Sequence, residues 1–304
     1  ALAGTGNAAR GSGPGELGVK PLDIAAGLGV LLCWGLNFPI AKIGMAELPP
    51  LTMIGLRYAL TVIVLAPVLR WPRGRFGLVA LIAIALGGFH FPLMFGGIAG
   101  VDAAVSSIVM QAQAPFAVML AILILGERMT FARLAGLALA FAGIALLAGA
   151  PTDESSLIHI AMLVASAFAW AVASLLIKRL TDIGVFQLNA WVAVLAIPQV
   201  VVATAVFETG QLTAIAEAGW RGWGTVIFLA LGGTVVGWGG MSYLLRRHPV
   251  SRVTPITLAI PVIGVAAAVW ILDEPLTWLR AIAGLLTLAG VAVVMFAPQP
   301  RAAQ

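Results

Sequence analysis

Charged residues are scarce in this chain: Asp, Glu, Lys and Arg together make up 10% of its 304 residues, whereas soluble domains carry about 25%. Hydrophobic residues make up 61%, and the mean hydropathy is +1.06. Apolar runs of about 20 residues, the length of a helix that crosses a bilayer, recur along the whole chain. The composition therefore predicts an all-α integral membrane protein. Its net charge of +5 then reports orientation in the lipid bilayer, and we expect no nucleic-acid partner.

Cysteine and histidine are nearly absent as well. The one cysteine, Cys33, lies inside an apolar run, so a disulfide within the chain is impossible and a metal cluster is not expected. Neither the His-Glu-x-x-His motif of zinc proteases nor the phosphate-binding loop of ATP-driven motors occurs. The apolar runs also lack paired acids for acid–base chemistry. We therefore expect no enzymatic activity, no cofactor and no bound metal.

One motif is present twice, two apolar helices joined by a short charged loop. It runs first from Ser106 to Ala150 and again from Ser251 to Ala297. Pairs that match at one offset of 147 residues are Glu127 and Glu274, Thr130 and Thr277, and Gly143 and Gly290. A Trp and a Lys eight residues apart also recur, at Trp34 and Lys42 and at Trp170 and Lys178. An internal repeat decides the architecture before any local pattern does.

The repeated motif resembles a known family. Its loop reads Gly126-Glu127-Arg128-x-Thr130 in the first copy and Asp273-Glu274-Pro275-Leu276-Thr277 in the second. This pattern is similar to the EamA domain of the drug/metabolite transporter superfamily. The order of helices and loops also resembles the YddG-like amino-acid exporters. The resemblance implies a secondary transporter that exports small metabolites, with amino acids, aromatic ones especially, as the substrate class.

Apolar runs between charged or Pro/Gly-rich breaks predict ten spans. They lie near residues 22–45, 51–70, 76–98, 101–125, 131–149, 157–179, 184–207, 222–246, 250–272 and 278–297. We expect five-helix repeats over 21–150 and 157–298, a polar linker between them, and a disordered cytoplasmic tail over 1–20. Because five is odd, the second repeat enters the membrane from the opposite side. Such an inverted repeat places a transport site at the repeat interface near the midplane.

Lysine and arginine in the loops predict the orientation. Thirteen of the 17 lie on the side of both termini, three lie on the other side, and Arg57 lies inside the second span. Cytoplasmic loops carry the excess of basic residues. We therefore expect both termini in the cytoplasm and the protein in the cell (inner) membrane. A monomer is compatible with the sequence, and the partners we expect are a small-molecule substrate and the lipid bilayer.

Several aromatic and polar residues lie at hydrocarbon depth. Tryptophan usually lies at the membrane interface, yet four tryptophans fall inside spans: Trp34, Trp170, Trp191 and Trp238. Helix packing is one explanation, and an aromatic-lined cavity for a flat or apolar substrate is the other. The residues we predict to bind substrate are Trp34, Asn37, His90, Gln111, Trp170 and Trp238.

Two basic side chains inside spans are further candidates, since ionisable groups within a membrane are functional by default. His90 precedes Pro92, so its alternative role is a neutral imidazole bonded to a backbone carbonyl that the proline leaves free. Arg57 lies about two turns into its span, where its side chain could snorkel to the surface, and we rank it lower.

Helix ends and prolines carry two more expectations. Glu127 and Glu274 lie on opposite faces after inversion, so we interpret them as structural, with Thr130 and Thr277 as N-caps of the helices that follow. Pro115 and Pro261 fall in mid-helix at nearly matching places in the two halves. Interrupted helices at corresponding repeat positions point to a transport site.

The spans hold no Asp or Glu at depth that could couple transport to an ion. His90 could carry a proton near neutral pH, but burial among apolar side chains is expected to keep it neutral. The sequence therefore predicts facilitated export by alternating access, driven by the gradient of the substrate. The alternative within the same class is a proton-coupled exporter of drugs or other metabolites. A channel or an intramembrane enzyme is the alternative from a different class.

Overall fold

The structure is helical throughout its regular parts. A computed structural model describes residues 20–125, 129–149 and 157–297, and no strand occurs within these ranges. The tail expected to be disordered (apart from Lys20), the linker 150–156 and Glu127 lie outside the described residues.

Within the described residues, ten helical segments are long and apolar enough to cross a bilayer if the first, which is bent, counts as one span. They are α1 (Pro21–Gly35 with Asn37–Gly44), α2 (Pro50–Val68), α3 (Phe76–Gly100), α4 (Ala103–Ile124), α5 (Phe131–Ala148), α6 (Leu157–Ile177), α7 (Val185–Phe207), α8 (Trp220–Arg247), α9 (Val250–Leu272) and α10 (Trp278–Phe296). The short helix Gln211–Glu217 joins α7 to α8. The predicted all-α membrane fold is confirmed, and the segments are consistent with five spans in each half.

Helix α1 bends by 43° at Leu36. Pro39 has no backbone N–H, so it cannot donate to the Gly35 carbonyl one turn earlier. The bend was not predicted, although a proline inside an apolar helix is its usual cause. It separates Trp34, in the last turn of the first segment, from Asn37, the first residue of the second.

Helices α3 and α8, the third span of each half, contain the same irregularity. Residues Ile84–His90 of α3 and Phe228–Trp238 of α8 form π-helical turns, which are wider than α-helical ones. Both stretches include the sequence Ala-Leu-Gly-Gly, at 85–88 and at 230–233. Wide turns of this kind occur frequently at functional sites.

The prolines of α4 and α9 behave differently from each other. Helix α4 tightens into a 3-10 turn over Met110–Ala112, shortly before Pro115. Helix α9 continues without a break through Pro261. The expectation of matching interruptions at these prolines is therefore wrong for α9, and the interruption that both halves share lies in α3 and α8.

Helices α5 and α10, the last spans of the two halves, touch backbone to backbone. A Cβ atom on Gly143 would lie 2.6 Å from the Ala283 carbonyl, and one on Gly136 would lie 2.9 Å from the Gly290 carbonyl. Adding the repeat offset of 147 turns Gly136 into Ala283 and Gly143 into Gly290. The two contacts are therefore the same contact seen from either half, which is the signature of a twofold relation.

Side-chain caps hold the helix ends in corresponding places. The hydroxyl oxygens of Thr130 and Thr277 each accept a hydrogen bond, 3.3 Å long, from the backbone N–H three residues later. Both predicted N-caps are thus confirmed. Glu274 accepts the backbone N–H groups of Ala103 and Ala104 at 2.7 and 2.9 Å, so it caps α4. Its structural interpretation is confirmed as well.

Two further glutamates cap helices at the same end of the bundle, away from the start of α1. Glu208 accepts the N–H groups of Leu51 and Thr52 at the start of α2, at 2.6 and 2.9 Å. Glu47 accepts the N–H groups of Gly219 and Gly222 at the start of α8, at 2.9 and 2.7 Å. Carboxylates at helix N-termini are stabilised by the free N–H groups and by the helix dipole. These acids therefore tie loops of one half to helices of the other.

Candidate functional site

A cavity of about 330 Å³ lies between the two halves. Residues of α1, α2, α3 and α4 face residues of α6, α8 and α9 across it. Its lining consists of Trp34, Asn37, Phe38, Arg57, His90, Phe91, Met94, Met110, Gln111, Gln113, Ala114, Ala117, Trp170, Ser174, Gly233, Trp238, Thr257 and Ile260. All six residues predicted from the sequence therefore border one space, and their role in substrate binding stays a prediction.

A larger groove runs between α3, α5 and α6, with a volume of about 970 Å³. Phe89, Phe116, Phe141 and Phe168 contribute to it, and its whole lining is apolar. Such a surface suits lipid chains, but it has no polar group that could orient a metabolite. The cavity between the halves is therefore the candidate site.

Three tryptophans form one wall of the cavity. Trp238 stacks on Trp170 with ring centroids 5.4 Å apart, and its edge meets Trp34 at 5.5 Å. The Trp34 indole N–H donates to the Gly233 carbonyl at 3.1 Å, inside the π-helical part of α8. These rings pack against each other and also face the cavity. Helix packing and an aromatic-lined cavity, the two explanations for tryptophan inside spans, therefore both apply to them.

His90 is fixed by Ser166 of α6. Its Nδ1 lies 3.0 Å from the Ser166 carbonyl and 2.9 Å from the Ser166 hydroxyl, while that hydroxyl donates to the His90 carbonyl at 2.8 Å. Because the hydroxyl hydrogen is used in this way, Nδ1 must be the donor toward Ser166. A proton can then be gained or lost only at Nε2. The expected partner, a carbonyl that Pro92 leaves free, is wrong; the carbonyl belongs to the neighbouring helix.

The amide side chains inside the spans divide into two groups. Asn37, Gln111 and Gln113 line the cavity, and the Asn37 Oδ1 is buried without a hydrogen-bond partner among the described residues. The amides of Asn189 and Gln199 instead donate to carbonyls four residues earlier in their own helix α7, both at 2.8 Å. The α7 amides are satisfied by their helix, whereas those on α1 and α4 face the cavity.

Arg57 is the cavity residue that sequence reasoning ranked too low. Its side chain does not snorkel: the residue is 4% exposed and lines the cavity. The guanidinium carbon lies 4.2 Å from the centre of the Phe91 ring. Nε and Nη1 have no hydrogen-bond partner among the described residues. The depth of Arg57 inside its span marks it as unusual in the sequence, but it does not tell whether the side chain points inward.

Arg57 and His90 are the titratable residues among those that line the cavity, and no Asp or Glu belongs to this lining. The described residues also contain no group of three His, Cys, Asp or Glu side chains that could hold a metal ion. The chemistry available in the cavity is therefore recognition by aromatic faces, amides and one cation. Nothing in this set of side chains resembles a catalytic pair.

The EamA-like transporter family matches the chain twice, over residues 22–149 and 157–296. Individual proteins are similar over most of their length too. A protein of Escherichia coli (strain K12), named probable amino-acid metabolite efflux pump, is 33% identical over 280 residues, covering 88% of this chain and 92% of that protein. A protein of the same name from Salmonella typhimurium is 30% identical over 287 residues, with the same coverage of 88% and 92%.

A more distant relative and a solved structure are also similar to most of this chain. The probable terminal-alkyne amino-acid exporter of Streptantibioticus cattleyicolor is 28% identical over 280 residues, covering 87% of this chain and 90% of that protein. One solved protein structure superposes with a TM-score of 0.63 at 20% identity, covering 90% of this chain and 96% of its own. That likeness concerns the fold alone.

Proposed function

The chain belongs to the EamA-like transporter family, and from this premise we propose that it exports amino acids with aromatic or other hydrophobic side chains by facilitated alternating access. The observation that carries the proposal is the cavity of about 330 Å³ between the halves, with its tryptophan wall and polar groups. Ligand pockets in proteins span about 300–1,000 Å³, so this one suits a single small molecule. Two similar proteins, in Escherichia coli and Salmonella typhimurium, bear names that refer to amino-acid metabolite efflux.

The lining matches the two ends of such a substrate. The faces of Trp34, Trp170 and Trp238 offer a large apolar surface for a side chain. Asn37, Gln111 and the cation of Arg57 offer hydrogen bonds for the polar end. A position between two repeats is where a transporter of this architecture holds its substrate.

Counterflow in liposomes tests the proposal directly. Purified protein in liposomes preloaded with unlabelled phenylalanine should accumulate labelled phenylalanine transiently, with a rate that saturates. Trp170→Ala and His90→Ala should lower this rate, because they remove one face and one edge of the cavity. Trp270→Ala is the matched control, since Trp270 is 84% exposed at the end of α9. Equal rates in all four proteins would refute the site.

The alternative function, a proton-coupled exporter, differs from facilitated export in its energy coupling. No acid lines the cavity, and a proton could be exchanged at His90 Nε2. Facilitated export predicts that a pH gradient at zero membrane potential leaves the final internal concentration equal to the external one. Accumulation that disappears when the gradient is collapsed would establish a proton-coupled exporter. A channel would instead give current without saturable counterflow.

A further inference from the structure

We infer that Arg57 binds the carboxylate of the exported molecule, and that the cavity requires this carboxylate and does not require an ammonium group. The inference rests on the proposed export function and narrows its substrate class to carboxylic acids with an apolar body. Amino acids qualify, and so do acids whose amino group is acylated or missing.

The state of Arg57 is the first observation. A cation held away from water is costly unless a carboxylate or several acceptors pair with it. Arg57 is 4% exposed, its Nε and Nη1 lack partners among the described residues, and its described contact is the Phe91 ring at 4.2 Å. Attraction to an aromatic face is weak beside the cost of burying an ion. The guanidinium is therefore prepared for an anion that arrives with the substrate.

A second observation locates the place for that anion. The Nη2 of Arg57 and the Nδ2 of Asn37 lie 3.9 and 3.6 Å from the point that a Cβ atom on Gly233 would occupy. Because residue 233 is glycine, the space between these two donors is open. A guanidinium binds a carboxylate through two parallel N–H groups, and the Asn37 amide can donate a third. The polar end of the cavity thus fits one carboxylate.

The positions of the acids supply the third observation. Acidic side chains of the described residues lie at helix ends or in loops, at Asp23, Glu47, Asp102, Asp182, Glu208, Glu217, Asp273 and Glu274. An ammonium group in the cavity meets aromatic faces and amide oxygens but no carboxylate. It can be tolerated there, but the lining does not demand a charge, because Asn37 Oδ1, which is buried without a partner among the described residues, can accept from a neutral N–H as well as from an ammonium group. A ligand without a carboxylate would leave the Arg57 guanidinium unpaired, which lowers its affinity strongly. A ligand that only adds or lacks a group the site does not pair with loses much less affinity.

Three substrates that share a benzyl group separate these roles. Counterflow in liposomes is measured with phenylalanine, N-acetylphenylalanine and phenylalaninamide. We expect the first two to be carried and the third, which lacks the carboxylate, to be carried about tenfold less well or worse. Phenylalaninamide carried as well as phenylalanine would overturn the inference and leave the export function standing. No counterflow of any of the three in the wild type would refute the proposed function itself, and the inference with it.

Substitution of Arg57 tests whether this residue causes the preference for substrates with a carboxylate. Arg57→Met keeps the length of the side chain and removes the charge, so transport of both acids should fall about tenfold or more while that of the amide is unchanged or rises. Arg221→Met is the matched control, because Arg221 lies exposed over Trp220 at the start of α8. Undiminished transport of both acids by folded Arg57→Met would overturn the inference.

Gly233→Ala keeps the test decisive if Arg57→Met does not fold. The added methyl group meets its nearest atoms at 3.6 Å or more, so the fold accepts it, and it fills the space between Asn37 and Arg57. It should raise the KM for both acids with little change in kcat. An unchanged KM for both acids would overturn the inference.

Discussion

Gly237 is the position where one added methyl group should disturb the cavity most. A Cβ atom there would lie within 3 Å of three atoms of the Trp34 indole. Contacts that short do not occur, so in Gly237→Ala either the indole or α8 must move. Moving Trp34 breaks its hydrogen bond to Gly233 and shifts its ring away from Trp238.

The cost can be estimated from these contacts. Overpacking of this kind costs about 1–3 kcal/mol, and loss of the indole hydrogen bond adds about 1 kcal/mol. We therefore expect the free energy of unfolding to fall by about 2–4 kcal/mol, which for a chain of 304 residues corresponds to a decrease in melting temperature of roughly 3–6 °C. Counterflow of phenylalanine should decrease with it, because Trp34 no longer faces the cavity in the same orientation.

Thermal unfolding in detergent and counterflow in liposomes measure the two effects. Gly224→Ala is the matched control on the same helix, since nothing lies within 4 Å of its added Cβ. That variant should melt at or slightly above the wild-type temperature, because alanine favours a helix over glycine by about 1 kcal/mol. If Gly237→Ala and Gly224→Ala melt and transport alike, Gly237 does not set the position of Trp34.

Other predictions concern helix caps, coupling and orientation. Thr130→Ala and Thr277→Ala should each lower the free energy of unfolding by about 1 kcal/mol, and clearly unequal losses in thermal unfolding would contradict the equivalence of the two caps. Glu208→Gln replaces one of the two carboxylate oxygens that accept from α2 by an NH2 group, which cannot accept, so the melting temperature should fall by the equivalent of about 1–3 kcal/mol, and an unchanged value would show that the hydrogen bond it loses contributes nothing. Wild-type protein in liposomes should reach the same final substrate concentration with and without a pH gradient, and a difference abolished in His90→Ala would assign proton coupling to that residue. A protease-sensitive tag after Gln304 should resist protease added to spheroplasts, whose outer membrane is opened and inner membrane intact, and cleavage there would reverse the proposed orientation.

The fold follows closely from the sequence because hydrophobicity and length alone dictate membrane helices. Apolar runs bounded by proline, glycine or charge predicted each helix end to within two residues, as for α3 and α9. The π-helical turns were not predicted. The repeated Ala-Leu-Gly-Gly at 85–88 and 230–233 permits close packing and wide turns, but it does not require them. The packing of neighbouring helices determines the width of a turn, and the local sequence does not specify where those helices lie.

The cavity was predictable to the extent that its residues are unusual for their depth. Trp170 and His90 stand out in an apolar span whatever the rotation of the helix, and the structure brings them to one space with ring centroids 4.8 Å apart. Arg57 could not be placed in the same way. Whether a long side chain reaches the surface or points inward depends on the rotation of α2 about its axis, which depth along the sequence does not give.

The reciprocal contact between α5 and α10 has a consequence for movement. Suppose that transport proceeds by the two halves exchanging their conformations. Each contact between the halves must then be replaced by the contact between the two residues that correspond to it under the repeat offset. The contact of Gly143 with Ala283 becomes that of Gly290 with Gly136, which is already present. This pair of helices can therefore stay still while the rest of the bundle rearranges. Under that mechanism, a distance measured between α5 and α10 should be the same whichever side the cavity opens to.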